Sequence, residues 1–479
     1  MKPVLYVIIF IFSQTVFGQS KAQKLDSLFT SLYNSDKFNG NILIAEKDSV
    51  IFTKSFGYAN ESTKTKLNEN TVFELASCTK PFTAMAILLL KDTGKLNLDD
   101  EISKYIPELY KYKNITIRNL MNHTGGLPDY MALMDTIWDK STIATNKDII
   151  QILEKQQPNK LFEPNTKEEY SNTGYALLAS IIEKTSGKTY AEFLQSAIFK
   201  PLKMTRTFVY HRRLSSKKIK NYALGYLYLN GDYILPDDYD RSKFVFWLDG
   251  VEGDGTVNST IKDLFKWNRA LNNNELVSEE SLKLINSNGI LKDGTLAHHG
   301  YGWRVLETEP FGKIARHSGG WPGYLTYIER DLDTDKTIII LQNHYNGVMP
   351  KQAVRNILYG MPIPKTMEIL HREGKTVDEI IAWLKNPVSK YLIDDFYEDS
   401  VNSFGYELLN QGNNEDALKV FLYNRDANPK SSNAYDSLGE CFLKMNYKEQ
   451  AKKAYEKSLA LDPTNKNAET IISKLREEN

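Results

Sequence analysis

Between residues 19 and 364 the apolar and polar positions follow two patterns, one typical of strands and one typical of helices. Strand-like runs lie near both ends of this region and begin at Gly40, Ser49, Arg316 and Lys336. Helical periodicity predicts helices at residues 22–33, 81–91, 173–185, 190–198 and 260–271. This arrangement predicts an α+β fold, with one antiparallel sheet built from both ends of the region, flanking helices and a helical insert.

The C-terminal part repeats itself. The segment SFGYELLNQGNNEDALKVF from Ser403 aligns with SLGECFLKMNYKEQAKKAY from Ser437, at a period of about 34 residues. The second repeat resembles the tetratricopeptide pattern at Tyr435, Leu438, Gly439, Phe442, Ala451, Tyr455 and Pro463. The first repeat departs from it at Val401 and Asn424. We therefore predict an all-α module of two tetratricopeptide repeats and a terminal helix at 398–479, which offers a surface to an unknown protein partner; a plain pair of helical hairpins is the alternative.

Two shorter segments complete the predicted organisation. Residues 365–397 are helical and charged, and TVDEIIAWL from Thr376 begins with a capping box, so we interpret them as a connector. Residues 1–18 carry a lysine and a short apolar run, which is typical of a secretory signal peptide; a retained membrane anchor is the alternative. We expect an exported protein, periplasmic or secreted, with no membrane span in the mature chain because no later apolar stretch is long enough.

Composition narrows the class of partner. Sixty basic residues balance sixty acidic ones, which argues against a nucleic-acid partner. The only cysteines are Cys78 and Cys441, so a disulfide framework is excluded. The histidines form no H-E-x-x-H motif, and SGKT at Ser186 lacks the first glycine of a phosphate loop. We expect no metal and no cofactor.

The segment FELASCTKPFTAMAILLL places a serine and a lysine at the start of an apolar helix. Pro81 is tolerated only in the first turn of a helix, so Ser77 lies close to the helix start. Lys80 lies three residues later on the same face, where its amine can reach the Ser77 hydroxyl. A desolvated lysine can act as the base that such a hydroxyl needs. Taken alone, the pair also fits a helix-capping serine.

Further motifs follow in order. YSN covers Tyr170 to Asn172, and HSGG covers His317 to Gly320 before a strand-like run. With S-x-x-K, this set resembles the serine β-lactamase and penicillin-binding protein family, in particular the class C branch with its esterase and D-aminopeptidase relatives. The resemblance extends over residues 31–344 and includes the segments ITIRNLMNHTGGLPDY, PLKMTRT, GDGTVNSTIKDLFKW and GYGWRV.

The resemblance implies a β-lactamase/DD-peptidase-like fold and a role for each motif residue. Ser77 would be the nucleophile, and Lys80 and Tyr170 would exchange its proton. Asn172 would hold the substrate amide, and His317 and Gly319 would belong to the substrate-binding strand. The backbone amides of Ser77 and Gly320 would form the oxyanion hole, as an acyl transfer requires.

The third motif departs from the family pattern. His317-Ser318-Gly319 stands where β-lactamases usually carry K-T-G, and a histidine is only partly charged at neutral pH. The loss of the fixed lysine charge weakens recognition of a substrate carboxylate and favours an ester or an aminopeptidase-like amide as the substrate. Lys292-Asp293-Gly294 is the alternative third motif, but no strand follows it directly. We interpret Cys78 as a core residue and His123 as structural.

Two functional hypotheses follow. The first is a serine hydrolase that acts on an ester, a D-amino-acid amide or a β-lactam. The second is a penicillin- or peptide-sensing protein with little turnover that signals through its repeats. A complete set of Ser77, Lys80 and Tyr170 favours turnover.

Overall fold

The computed structural model describes residues 19–229, 232–308, 311–345, 349–361, 367–385, 397–463 and 465–477. The expected signal peptide, the expected boundary at Pro364, and residues 365–366 and 386–396 of the expected connector lie outside these residues. The chain divides into two compact units, residues 1–349 and 350–479. No helix in the described ranges combines the length and apolarity needed to cross a bilayer.

The first unit is built on a six-stranded sheet that both ends of the unit share. Every neighbouring pair of strands is antiparallel. In spatial order the strands are Arg304–Thr308, Gly312–Trp321, Tyr324–Asp331, Lys336–Gln342, Gly40–Glu46 and Ser49–Phe56. The predicted sheet is confirmed: the first early strand of the unit, Gly40–Glu46, pairs with Lys336–Gln342, the last strand of this sheet in chain order.

Among the described residues, the first unit has four small sheets besides the main one. Three are antiparallel hairpins or triplets, and in the fourth the pairing of His344–Tyr345 with Tyr226–Leu229 is parallel. Their strands are Tyr58–Asn60, Thr65–Lys66, Phe73–Glu74, Phe208–Val209, Tyr226–Leu229, Asp232–Ile234, Val257–Ser259, Asn288–Ile290, Leu296–Gly300 and His344–Tyr345. The sequence patterns did not predict these short strands.

Helices pack on the sheet and form the insert. The α-helices of the first unit are Lys21–Asn34, Lys80–Asp92, Ile117–Met121, Tyr130–Ile137, Asn146–Gln156, Asn172–Ser186, Tyr190–Leu194, Phe244–Trp247, Ile261–Asn272 and Glu279–Ile285. The predicted helix 190–198 changes character at Gln195, where a π-helical turn continues it to Phe199. Helices Lys80–Asp92 and Asn172–Ser186 are buried over most of their length, so the segments that carry the motif residues are held in the core.

The second unit is helical throughout its described part. Its helices are Lys351–Leu358, Met367–Arg372, Val377–Leu384, Tyr397–Asn410, Asn414–Ala427, Ser432–Lys444, Lys448–Leu461 and Lys466–Glu477. The predicted capping box forms, since Thr376 and Glu379 each accept a hydrogen bond from the other's backbone amide. A Cβ on Gly439 would lie 2.8 Å from the Tyr455 ring, so the glycine lets that aromatic side chain fill the space between two helices.

Candidate active site

Ser77 lies in the 3-10 turn Ala76–Thr79, which runs directly into helix Lys80–Asp92. Ala76 has a φ of 48°, a left-handed conformation that is uncommon for a residue with a side chain. This bend turns the chain sharply between strand Phe73–Glu74 and the helix. Ala76 and Cys78 are buried, whereas Ser77 is half-buried and lines a cavity. The backbone thus presents the serine hydroxyl to a ligand.

Lys80 is completely buried, and its amine contacts three oxygen atoms. Its Nζ lies 3.1 Å from Ser77 Oγ, 2.9 Å from Asn172 Oδ1 and 3.0 Å from the backbone oxygen of Asp254. A lysine ammonium has three hydrogens to donate, so this set satisfies it. The predicted contact between Lys80 and Ser77 is confirmed, and a proton can pass between them without movement of either side chain.

Asn172 is the first residue of helix Asn172–Ser186, one position earlier than the sequence pattern predicted. The Ser171 hydroxyl caps this helix by accepting a hydrogen bond from the Gly174 amide at 3.1 Å. The cap fixes Asn172 at the edge of the cavity, where its side-chain oxygen faces Lys80.

Tyr170 lies beside this pair. Its ring centroid is 4.9 Å from Lys80 Nζ, and 42% of the residue is exposed. The His123 ring stacks on it at 4.4 Å with an interplanar angle of 30°. In the part of the chain that the structure describes, the Tyr170 hydroxyl makes no hydrogen bond. The phenol is therefore available to exchange a proton with a bound ligand.

Three imidazoles surround the Tyr170 ring. The centroids of His123, His299 and His317 lie 4.4, 5.5 and 6.4 Å from it. Glu168 holds His299 through a contact of 2.5 Å to Nδ1. Sequence reasoning missed this arrangement because the segments are far apart in the chain. His123, which was interpreted as structural, is buried.

Burial controls the charge of two of these histidines. It lowers the pKa of His317 to about 3, and the charges of Lys80 and His299 add to the effect. Burial likewise lowers the pKa of His123 well below its usual value. His317 is therefore neutral at neutral pH, which differs from the partial charge expected for an unperturbed histidine.

Strand Gly312–Trp321 passes directly over the Ser77 turn. The sequence pattern predicted that the HSGG motif precedes a strand, but the motif lies within the strand. The Cys78 thiol donates to the His317 carbonyl at 3.3 Å, and burial raises the pKa of that thiol to about 12, so Cys78 is a core residue as predicted. A Cβ on Gly319 would lie 2.4 Å from the Leu75 oxygen and 3.1 Å from the Ser77 nitrogen. Only glycine permits this approach.

The cavity next to Ser77 has a volume of about 450 Å³. Gly320 and Asn172 line it, whereas Lys292 to Gly294 form an exposed hairpin turn outside it. Much of its wall comes from residues 210–256, which sequence reasoning did not assign to the site. The only signal there was GDGTVNS, which contains Asp254, the residue whose carbonyl binds Lys80.

Known proteins resemble this chain over a region that includes most of the first unit and extends beyond it. The profile of the family described as Beta-lactamase matches residues 25–359. Penicillin-binding protein 4* of Bacillus subtilis is 41% identical over 383 residues, which cover 79% of this chain and 84% of that protein. The octameric penicillin-binding protein homologue from Pyrococcus abyssi is 26% identical with a TM-score of 0.62, over 76% and 82% of the two chains. The D-amino acid amidase from Ochrobactrum anthropi is 28% identical with a TM-score of 0.56, over 68% and 90%.

Proposed function

Because the chain belongs to the β-lactamase family of serine hydrolases, we propose that it forms an acyl-enzyme at Ser77 on an ester, a D-amino-acid amide or a β-lactam-type substrate. The observation that carries this proposal is the position of the Lys80 amine, 3.1 Å from Ser77 Oγ and fixed by two further acceptors. A buried base that is already aimed at a hydroxyl supplies what a serine nucleophile lacks.

In the proposed reaction, Lys80 acts as the neutral amine. Ser77 Oγ forms a bond to the substrate carbonyl carbon and releases its proton to this amine, which then returns it through Tyr170. Tyr170 passes a proton to the leaving oxygen or nitrogen as its bond to the carbonyl breaks. The backbone amides of Ser77 and Gly320 stabilise the charge on the carbonyl oxygen, and Asn172 and strand His317–Gly320 hold the substrate. Water then hydrolyses the ester at Ser77.

The neutral His317 bears on the substrate class. It offers no fixed positive charge where the family's K-T-G lysine would stand, so a substrate carboxylate gains little there. One of the similar structures is named a D-amino acid amidase, which supports this preference. We therefore favour esters and D-amino-acid amides over β-lactams.

Two features outside the catalytic unit belong to the same proposal. The apolar segment at 1–18 supports export to the periplasm or the medium. The 34-residue repeat, together with the packing of Gly439 on Tyr455, supports a tetratricopeptide module that binds a protein partner.

A fluorophosphonate probe tests the nucleophile. The native protein should become labelled and should hydrolyse 4-nitrophenyl acetate, and Ser77→Ala should do neither. A screen of short-chain esters, D-amino-acid amides, D-Ala-D-Ala peptides and a cephalosporin then identifies the substrate class. Equal labelling of the native protein and Ser77→Ala would refute the assignment.

A further inference from the structure

Glu74 precedes the proposed nucleophile by three residues and lines the same cavity. It ends the strand Phe73–Glu74, where it pairs with Asn258. Alternate side chains of a strand point to opposite faces, so Phe73 is buried completely in the core while Glu74 faces the cavity. A substrate held at Ser77 is therefore exposed to this carboxyl group.

The Glu74 carboxyl has no hydrogen-bond or ion-pair partner among the described residues, although two arginines lie nearby. Both arginines are bound elsewhere. Arg213 contacts Asp237 at 2.6 Å and Asp249 at 3.2 Å, and Arg212 also binds Asp237. The two positive charges are thus matched by two other carboxylates. His211, which also lies near Glu74, is bound to Glu252 at 2.9 Å, so Glu74 is left in excess.

The protonation of Glu74 reflects this environment. Burial raises the pKa of Glu74 to about 7, because the attraction of Arg213 is too weak to offset the loss of water and the nearby Asp249 carboxylate adds repulsion. A cation placed beside the carboxyl would favour its ionised form. Ionised Glu74 would therefore be stabilised by a positively charged ligand, and that ligand would be bound more tightly.

The other carboxylates on the cavity wall are already satisfied. Asp249 accepts hydrogen bonds from the Arg213 and Leu214 amides at 2.7 and 3.1 Å. Asp254 accepts one from the Tyr130 hydroxyl at 3.0 Å. Aromatic side chains form much of the remaining wall: Tyr130, Tyr210, Tyr239, Phe244 and Trp321. Aromatic faces beside one unpartnered carboxylate suit an ammonium group attached to an apolar body.

Arg241 also lines the cavity and represents the competing possibility of an anionic ligand. It is exposed, so water and salt screen its charge. Glu74 is partly buried, so water and salt would screen an ion pair at Glu74 less than one at Arg241. The balance of charge and burial favours a cation.

We propose that Glu74 binds the ammonium group of the substrate and selects acyl donors that carry a free amine, such as esters and amides of D-amino acids. This proposal rests on the acyl-enzyme at Ser77 proposed above. Glu74 acts in specificity and takes no part in the transfer of the acyl group.

Two substrates that differ only in the amine test the proposal: D-phenylalanine methyl ester and its N-acetyl derivative. The native protein should favour the free amine by about tenfold or more in kcat/KM, the scale of a hydrogen bond to a charged group. Glu74→Gln should abolish this preference, chiefly through KM. Glu69→Gln is the matched control, because Glu69 is an exposed residue bound to Lys262. All three proteins should hydrolyse 4-nitrophenyl acetate at similar rates.

The pH profile gives a second readout. With the free amine, kcat/KM of the native protein should fall as the pH drops below about 7, where Glu74 becomes protonated. Glu74→Gln should lack this dependence, and so should the native protein with the N-acetyl ester. These comparisons separate ammonium binding from a general loss of structure.

Four results would overturn the ammonium site. The first two are equal hydrolysis of both esters by the native protein, and an equal loss of activity on both esters in Glu74→Gln. The other two are hydrolysis of 4-nitrophenyl acetate when neither phenylalanine ester is hydrolysed, and a preference for N-acetyl-D-alanyl-D-alanine that Arg241→Gln abolishes. Failure of the proposed function looks different. In that case Ser77→Ala would hydrolyse 4-nitrophenyl acetate as fast as the native protein.

Discussion

Lys80 shows how a charged side chain is accommodated in a core. Its full burial would be costly without partners, but three acceptors surround the amine. Two of the acceptors, on Asn172 and Asp254, come from distant segments and orient the amine toward the third, Ser77 Oγ. The same contacts that make burial tolerable therefore position the proposed base.

We predict that Lys80→Ala and Tyr170→Phe each lower the acylation rate by about a hundredfold or more, the scale of a lost acid or base. Stopped-flow hydrolysis of 4-nitrophenyl acetate measures the rate, and circular dichroism checks that both variants fold. Lys95→Ala, which changes an exposed lysine beyond the end of the same helix, is the control. An unchanged rate in either variant would remove that residue from the mechanism.

His317 makes stability depend on pH. Its folded-state pKa of about 3 lies below the unfolded value, so below about pH 6.5 the unfolded chain binds a proton that the folded chain does not. The free energy of unfolding should therefore fall with decreasing pH, by up to about 1.4 kcal/mol per pH unit from this group.

Urea unfolding between about pH 6.5 and 4.5 tests this effect. His317→Gln should show a shallower pH dependence than the native protein, whereas the exposed control His298→Gln should not. Parallel profiles for His317→Gln and the native protein would show that His317 is protonated in the folded state.

At the scale of elements, the site depends on the contact between strand Gly312–Trp321 and the turn Ala76–Thr79. Thr326 on the adjacent strand donates to the Leu75 carbonyl at 2.7 Å and ties the turn to the sheet. Gly319 lies between these groups, and a side chain there would meet Thr326 Oγ1 at 2.3 Å. Strand and turn are thus locked together by a close fit.

We predict that Gly319→Ala separates the strand from the turn, lowers the free energy of unfolding by about 1 to 3 kcal/mol and reduces acylation at Ser77. Gly320→Ala is the matched control for stability, because a Cβ on Gly320 meets nothing within 4 Å. Chemical denaturation and fluorophosphonate labelling measure the two effects. Equal stability of both variants would contradict the close fit.

The sequence predicted what depends on local pattern. The sheet from both ends, the helix after Pro81 and the approach of Lys80 to Ser77 follow from periodicity, proline chemistry and helical spacing. The stacking of His123 on Tyr170 and the role of Glu74 in the cavity could not be predicted in this way, because they depend on tertiary packing between remote segments. The depressed pKa of His317 has the same origin, since burial is a property of the assembled fold.

At the scale of the whole molecule, the two units have separate hydrophobic cores. The core of the first unit includes Leu43, Phe82 and Ile339, and that of the second includes Phe404, Phe421 and Leu438. All the proposed catalytic residues lie in the first unit. A region of more than about 300 residues can bury enough apolar surface to fold without further support.

We therefore predict that a chain ending at residue 363 hydrolyses 4-nitrophenyl acetate at a rate within about threefold of the full chain, while losing any protein partner of the repeats. Soluble yield, thermal melting and ester hydrolysis of both proteins test this. A folded, soluble truncation without activity would mean that the removed residues, 364–479, help to form the active site.

The pairing of strand Gly40–Glu46 with strand Lys336–Gln342 also constrains when the molecule can fold. These partners are about 300 residues apart in the chain, so a growing chain on the ribosome cannot complete its central sheet until nearly the whole first unit has been synthesised. Ser77 and Gly320 lie near opposite ends of that interval and line the same cavity, so both are present only when most of the unit has been made. Hydrolytic activity should therefore appear in a single late step of biosynthesis, with no active fragment released before it.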